Sequence, residues 1–383
     1  MRLGGTLVLL AICVSAAPGA DLRVSDSGHY FIWQGRPLLM VGDSGTQCVL
    51  QYLNLDYRRW IDDCGERSIR AIHVWALLAP RQIATPETGG RLTPAAEALG
   101  LTAPMTERRY GYFYPGSTPW PRPVGGPPAT DGLPQYDLTA FDEGTDPTRN
   151  YWPRLRDLCS YARERRIVVG LTVFFGWPKH NSAARPDWAF HPLNAANGGP
   201  VVDHGDPITE CQRIEWPGRE IVDLDWDENW PQAAKVQWIW ERLAAKAIED
   251  LAPFGNVIFV FYDERSYSEG NMGDHFLQFF KRRGALWTDG ELRRSNVDFV
   301  VSDSSPAENR NALAVAGFAA EPVRPYLLLE GSPYRGDGLR TSMWTFALGG
   351  GHYTFHGDEG QETPRTGIMG YDPQAPEGDN GML

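Results

Sequence analysis

Short unbroken apolar runs alternate along this chain with longer stretches in which apolar residues recur every three or four positions. The clearest run is Val257-Ile-Phe-Val-Phe261, β-branched or aromatic throughout. A run of that kind suits a strand covered on both faces, as in a parallel sheet. Similar strands are predicted at 38–41, 68–76, 167–175, 297–302, 324–330 and 351–356, with a weaker, alanine-rich one at 312–318. Between them the spacing predicts helices. Tyr57, Trp60, Ile61 and Cys64 share a face over 55–67, and Leu155, Leu158, Cys159 and Ala162 do so over 152–165. Val236, Trp240, Leu243 and Ala247 form a stripe over 231–251, and shorter helices are predicted at 274–283 and 341–348. Pro153 and Pro231 fall in first turns, where the missing N–H is one the helix leaves unbonded anyway.

Taking Leu38, Ile69, Ile167, Val257, Val297, Leu313, Tyr326 and His352 as markers gives eight strands. Most are separated by enough chain for a right-handed crossover. The expectation is an α/β fold, a (β/α)8 TIM barrel with long βα loops, occupying 21–383 as a single catalytic domain. No internal repeat favours a solenoid or propeller. The loop over 77–149 is rich in Pro, Gly and Thr and carries Tyr110, Tyr112, Phe113, Tyr114 and Trp120. It reads either as an aromatic cleft wall or as a floppy insertion.

In such a barrel the active site lies at the C-terminal ends of the strands. Tyr262-Asp263-Glu264 ends the fourth predicted strand and Glu330 the seventh. A carboxyl pair is what glycoside hydrolysis needs, one acid to protonate the leaving oxygen and one carboxylate to attack the anomeric carbon or activate water. A separation of roughly 5 Å means retention and about 7–9 Å inversion. The plainer readings are a helix cap or an ion pair with Arg265 for Asp263 and Glu264, and an ion pair with Arg335 for Glu330. Asp43 ends the first strand and either caps a loop or lines the cleft. His73, near the end of the second, is either a core residue or a site residue. The loop after 175 carries Trp177, His180, Trp188, His191 and His204. Those histidines are too widely spaced for a compact ligand motif, so sugar contacts or loop packing are expected, with neither metal nor cofactor.

Composition sharpens the substrate class. Fourteen Trp, 15 Tyr and 16 Phe suit either core packing or a carbohydrate cleft whose aromatic faces stack on sugar rings. A net charge of −12 argues against nucleic acid or an anionic membrane surface as partner. Residues 1–20 combine an early Arg2, an apolar stretch and small residues, the pattern of a secretory signal peptide. No later stretch is long and apolar enough to span a membrane. The mature chain is therefore expected to be secreted or periplasmic, with Cys48, Cys64, Cys159 and Cys211 able to form up to two disulfides. Cys159, on the apolar helix face, reads as a buried small hydrophobe.

Several segments resemble a known group in order along 30–356. They are Tyr30-Phe-Ile-Trp-Gln-Gly-Arg-Pro37 with Gly42-Asp-Ser44, Ile167-Val-Val-Gly-Leu171, Trp188-Ala-Phe-His-Pro-Leu-Asn194, Asn256-Val-Ile-Phe259 and Gly349-Gly-Gly-His-Tyr-Thr-Phe-His356. Together with carboxylates ending strands four and seven, they resemble the large clan of retaining TIM-barrel glycoside hydrolases, most closely its apiosidase-like and cellulase-like bacterial members. The resemblance implies Glu264 as acid/base and Glu330 as nucleophile, with His352, Tyr353 and His356 at the eighth strand's end near the sugar. One position departs from the pattern. The family usually places Asn before the acid/base, and here Asp263 loses the amide donor and adds a like charge that would raise one carboxyl's pKa. The expectation is a secreted glycoside hydrolase acting on a polysaccharide or its side chains. The alternative from another class is a catalytically inactive barrel that binds glycans. A lyase is more remote, because no basic cluster for uronates stands out.

Overall fold

The computed structural model describes residues 22–44, 49–51, 56–77, 117–175, 181–182, 185–186, 191–201, 215–216, 219–220, 233–263, 271–288, 298, 300–302, 310–331 and 336–355. Eight of its strands form one sheet: β1 (Val41–Asp43), β2 (Ala71–Trp75), β3 (Val168–Phe175), β4 (Val257–Asp263), β5 (Trp287–Thr288), β6 (Val300–Ser302), β7 (Tyr326–Gly331) and β8 (His352–Phe355). Their hydrogen-bonded order is β5-β4-β3-β2-β1-β8-β7-β6, and every neighbouring pair is parallel. The last strand in sequence thus returns to the first, with Tyr353 beside Val41 and Phe355 beside Asp43. Helices α1 (Tyr57–Glu66), α2 (Tyr151–Glu164), α3 (Ala233–Leu251), α4 (Asn271–Arg282), α5 (Arg310–Phe318) and α6 (Gly336–Leu348) alternate with the strands. This is the α/β, (β/α)8 fold that the strand count predicts.

Two apolar cores follow from the alternation of side chains along each strand. Ile72, Val74, Val169, Leu171, Val257, Phe259, Tyr326, Leu328, Tyr353 and Phe355 pack outward, in one cluster with helix residues such as Trp60, Leu155, Leu243, Phe276 and Phe346. Ala71, Val168, Ile258, Val260, Leu327 and Leu329 pack inward, in a second cluster that contains no helix residue. The inner core is completed from below by Leu22, Phe31, Trp33 and Met40. Phe31 and Trp33 belong to an antiparallel ribbon, Phe31–Trp33 against Arg36–Leu38, turned by Gln34 and Gly35 at φ 51° and 75°. Positive φ at both central residues is the type I′ geometry that matches strand twist.

Helix starts are set locally. The Asp56 carboxylate accepts from the Arg59 N–H at 3.1 Å at the start of α1, and the Asp142 carboxylate accepts from the Tyr151 N–H at 2.7 Å at the start of α2. Cys64 and Cys159 are buried on these two helices and free, while Cys48 and Cys211 lie outside the described residues. The described part of the Pro-rich loop is built rather than floppy. Arg122 donates to both carboxylate oxygens of Asp131, at 3.0 and 2.7 Å, and stacks 3.8 Å over the Tyr136 ring. Trp120 is buried, so it serves the core and not a cleft wall, while Tyr110, Tyr112, Phe113 and Tyr114 lie outside the described residues.

Three element assignments change. Residues 312–318, predicted as the sixth strand, are helix α5. Alanine is the best helix former, and Ala314 and Gly317 lie on the face turned to Gly349 and Tyr326, where little volume is available. The strand missing from the prediction is β5, whose two residues are too short to give a periodic signal. Leu38 ends the ribbon, and the first barrel strand starts at Val41. One false strand and one omitted strand offset each other, so β4 and β7 keep their places in the count.

Gly42 shows how tightly β1 and β8 close. A Cβ there would lie 2.5 Å from the Ala71 carbonyl oxygen and 2.8 Å from both Ala71 Cβ and Thr354 Cγ2. Backbone on one side and a stiff β-branched side chain on the other leave no room to yield. Gly42→Ala is expected to destabilise the fold by about 1–3 kcal/mol, the usual cost of overpacking a core. Urea denaturation checks this, and a wild-type midpoint would rule it out.

Candidate active site

The C-terminal edge of the sheet is fixed by register. Asp263, the last residue of β4, lies beside Phe175, the last of β3, and Phe355 of β8 lies between Asp43 of β1 and Gly331 of β7. Ser44, just beyond β1, closes this edge, since its N–H and hydroxyl both donate to the Phe355 carbonyl, at 2.8 and 2.9 Å. At the same edge Gln51 Nε2 donates to the Ala76 carbonyl at 3.2 Å, and the Tyr151 hydroxyl donates to that oxygen too.

Inside the barrel, polarity changes with height. The lower inward positions are the apolar Ala71, Val168, Ile258 and Leu327. Above them are the fully buried His73, Thr172, Thr288 and Thr354. His73 Nε2 and Thr172 Oγ1 are hydrogen-bonded at 2.7 Å, and the ring of His73 meets that of Trp75 edge-on. Thr288 is in register with Val260, and its buried hydroxyl has no hydrogen-bond partner. This polar storey lies on the C-terminal side of the apolar layer. Periodicity alone passes over its threonines, which read in the sequence as ordinary strand residues.

Strand β7 carries a feature that no sequence pattern shows. Leu327 pairs with His352 and Leu328 with Tyr353, but Gly331, not residue 330, pairs with Phe355. Two residues, Leu329 and Glu330, therefore oppose the single Thr354, which is a β-bulge. Bulges are uncommon in parallel pairs and frequent beside active sites, where they re-aim a side chain. Without it, strict alternation after the inward Leu327 and Leu329 would give position 330 the outward phase. With it, Gly331 takes the outward register of Phe355, and position 330 stays in the inward phase. On β4, the inward phase of Ile258 and Val260 falls next on position 262.

The sequence-predicted residues fall into groups. Asp263, Tyr262 and Glu330 have their backbones at the C-terminal ends of β4 and β7, while Glu264, Trp177 and His356 lie outside the described residues. Asp43 is at this edge, buried, and its Oδ2 accepts from the Trp60 indole N–H at 2.9 Å, tying β1 to α1. His73 is one storey below the edge. His191 is buried, and its Nδ1 accepts from the Leu193 N–H at 3.1 Å, with burial pulling its pKa down to about 3. Its segment is pinned to the Pro-rich loop, because Asn197 Oδ1 accepts from the Thr130 N–H at 3.0 Å.

His352 requires a correction. The resemblance places it at the eighth strand's end, whereas it opens β8, at the opposite edge. Its ring centroid is 5.1 Å from that of Phe31 in the bottom plug, and its Nδ1 accepts from the Met40 N–H at 3.0 Å. Nδ1 can accept only if it is unprotonated, so Nε2 carries the hydrogen of the neutral ring. That buried Nε2 has no partner.

No family model matches this chain, and no curated protein matches it. Solved structures do. A glycoside hydrolase family 5 mannosidase from Rhizomucor miehei superposes with a TM-score of 0.54 at 12% identity, covering 95% of this chain and 93% of that one. A glycoside hydrolase family 5 structure from Bacteroides vulgatus ATCC 8482 gives 0.50 at 14% identity, covering 88% of this chain and 62% of that one. The chain thus spans less than two thirds of that second structure. At such identities the likeness is one of fold, the (β/α)8 barrel. Among the described residues, no helix is long and apolar enough to cross a membrane.

Burial pulls His352 down from 6.5 to about 4. The unfolded chain takes up this proton near pH 6.5, the folded one only near pH 4. The associated stability is therefore complete above about pH 6.5 and lost as pH falls toward 4. From pH 7 to pH 5 wild type should lose about 2 kcal/mol through this group. His352→Asn, which keeps an acceptor for Met40, should lose correspondingly less. Urea melts of both proteins at the two pH values measure the difference, and parallel responses would exclude the assignment.

Proposed function

We propose that this chain is a glycoside hydrolase that cleaves O-glycosidic bonds of a polysaccharide or its side chains with Glu264 and Glu330. The observation that carries the reading is the β7 bulge, which keeps position 330 in the inward phase at the C-terminal edge of a barrel. Continuing the β4 alternation of Ile258, Val260 and Tyr262 by one step reaches Glu264. On this reading both residues stand at the C-terminal edge of the sheet, the edge toward which His73, Thr172, Thr288 and Thr354 lie.

In the retaining form of the reaction, the protonated Glu264 gives its proton to the glycosidic oxygen as the Glu330 carboxylate attacks the anomeric carbon. The C–O bond to the leaving group breaks and a glycosyl ester forms. Glu264, now ionised, takes a proton from water, whose oxygen displaces Glu330 and releases the sugar. Such an acid must hold its proton near neutral pH. The fold neighbours lend support. The Rhizomucor miehei protein is described as a mannosidase, and variants of it with a single Glu→Ala change, one in complex with mannosyl-fructose, share the fold. The 1–20 pattern supports export, to the periplasm or beyond.

The test is turnover on aryl-glycosides and polysaccharides by wild type, Glu264→Gln and Glu330→Gln. Each substitution should lower kcat by on the order of 10²–10⁴-fold or more. Wild-type activity in either variant removes that residue from the mechanism. Binding of glycans without turnover by wild type would instead establish the inactive-barrel alternative.

A further inference from the structure

We propose that Thr354 is a positioning residue for Glu330, its hydroxyl holding the β-bulge that keeps position 330 in the inward phase of β7. The inference rests on the reading of Glu330 given above. A bulge inserts a residue into the ladder and leaves backbone groups without their regular partners, and a buried carbonyl left unpaired is costly. Thr354 is the one residue of β8 opposite the bulge, between the pairs Leu328–Tyr353 and Gly331–Phe355. Its Oγ1 donates to the Leu329 carbonyl, the residue just before Glu330, and lies 3.3 Å from the Leu328 carbonyl. The site is buried to 1% exposure, so bulk water is not at hand to replace that donor.

The other arm of the side chain fixes its direction. Gly42 is the register partner of Thr354 on β1, and a Cβ built there would lie 2.8 Å from Thr354 Cγ2. The methyl thus packs against β1 while the hydroxyl faces β7. A β-branched residue is stiff at χ1, and with one arm seated on Gly42 the other is committed to the bulge. Serine retains the donor but loses the methyl. Valine retains the methyl packing and loses the donor. The two substitutions therefore separate packing from hydrogen bonding at one position.

The experiment is the crystal structure and steady-state kinetics of Thr354→Val and Thr354→Ser beside wild type. In the valine variant the register should slip, with position 330 taking the pairing with Phe355 that Gly331 holds. Its kcat should fall on the order of 10–100-fold with KM nearly unchanged, the expected effect of misplacing a reacting group by about 1 Å. The serine variant should keep the bulge and most of kcat. If Thr354→Val does not fold, Thr354→Ala, which strains neither neighbour, takes its place in both measurements. A valine or alanine variant with the bulge intact, or with wild-type kcat on a substrate that Glu330→Gln cannot turn over, overturns the proposal. Should wild type hydrolyse no glycoside, or Glu330→Gln match it, the catalytic reading of Glu330 fails, and the crystallographic register still decides whether Thr354 holds the bulge.

Discussion

A parallel sheet that curls until its last strand meets its first has to bring two backbones together around an interior with little spare volume. In this protein the contact between β1 and β8 carries that constraint. The Tyr353 N–H donates to the Met40 carbonyl at 2.9 Å, the Met40 N–H donates to His352, and Ser44 donates twice to Phe355. Between these ends Gly42 has no side chain because Ala71 and Thr354 occupy the space. Gly42 thereby sets which way Thr354 can point, and Thr354 in turn reaches the bulge of β7. The closing contact and the candidate site are one stretch of structure, two residues deep.

The barrel interior sorts itself around this contact. The lower end is sealed by the ribbon residues Phe31 and Trp33 over an apolar layer, and His352 belongs to that seal. Hydrogen-bonding side chains begin one storey higher, with His73 bonded to Thr172. A buried polar group is tolerated where a partner can satisfy it, as His73 and Thr172 satisfy each other. The outer shell solves a different problem. The Asp43 carboxylate accepts from Trp60, and that of Asp157 on α2 accepts from Tyr57 and Arg58 of α1, with Arg58 Nη2 2.5 Å from Oδ1. These contacts fix helices to strands and to one another.

Much of this was legible in the chain. The runs that became β3, β4 and β7, and the helical spacing of Trp60, Cys64, Leu155 and Cys159, are patterns that burial itself imposes on sequence. Elements escaped where the pattern carries no information. Two residues of β5 cannot show a period, and the alanines of α5 suit a helix or a tight strand until their neighbours decide. His352 was misplaced for another reason. The predicted strand 351–356 already put His352 near its start, and only the resemblance moved it to the far end, which the ladder with β7 and β1 corrects.

Sequence alone determined the number and kind of the long elements, the order that puts carboxylates after β4 and within β7, and an acidic, aromatic-rich composition. These are consequences of local composition, since a periodic apolar face or an unbroken apolar run can be buried in few ways. Tertiary structure decided phase and partnership: Asp43 to Trp60, His73 to Thr172, His352 to the barrel floor, and the register shift of β7 opposite Thr354. Side chains alternate with a period of two, so a single inserted residue reverses every later assignment along a strand. Whether a strand contains that extra residue is settled only by pairing with its neighbour, here by one threonine on β8.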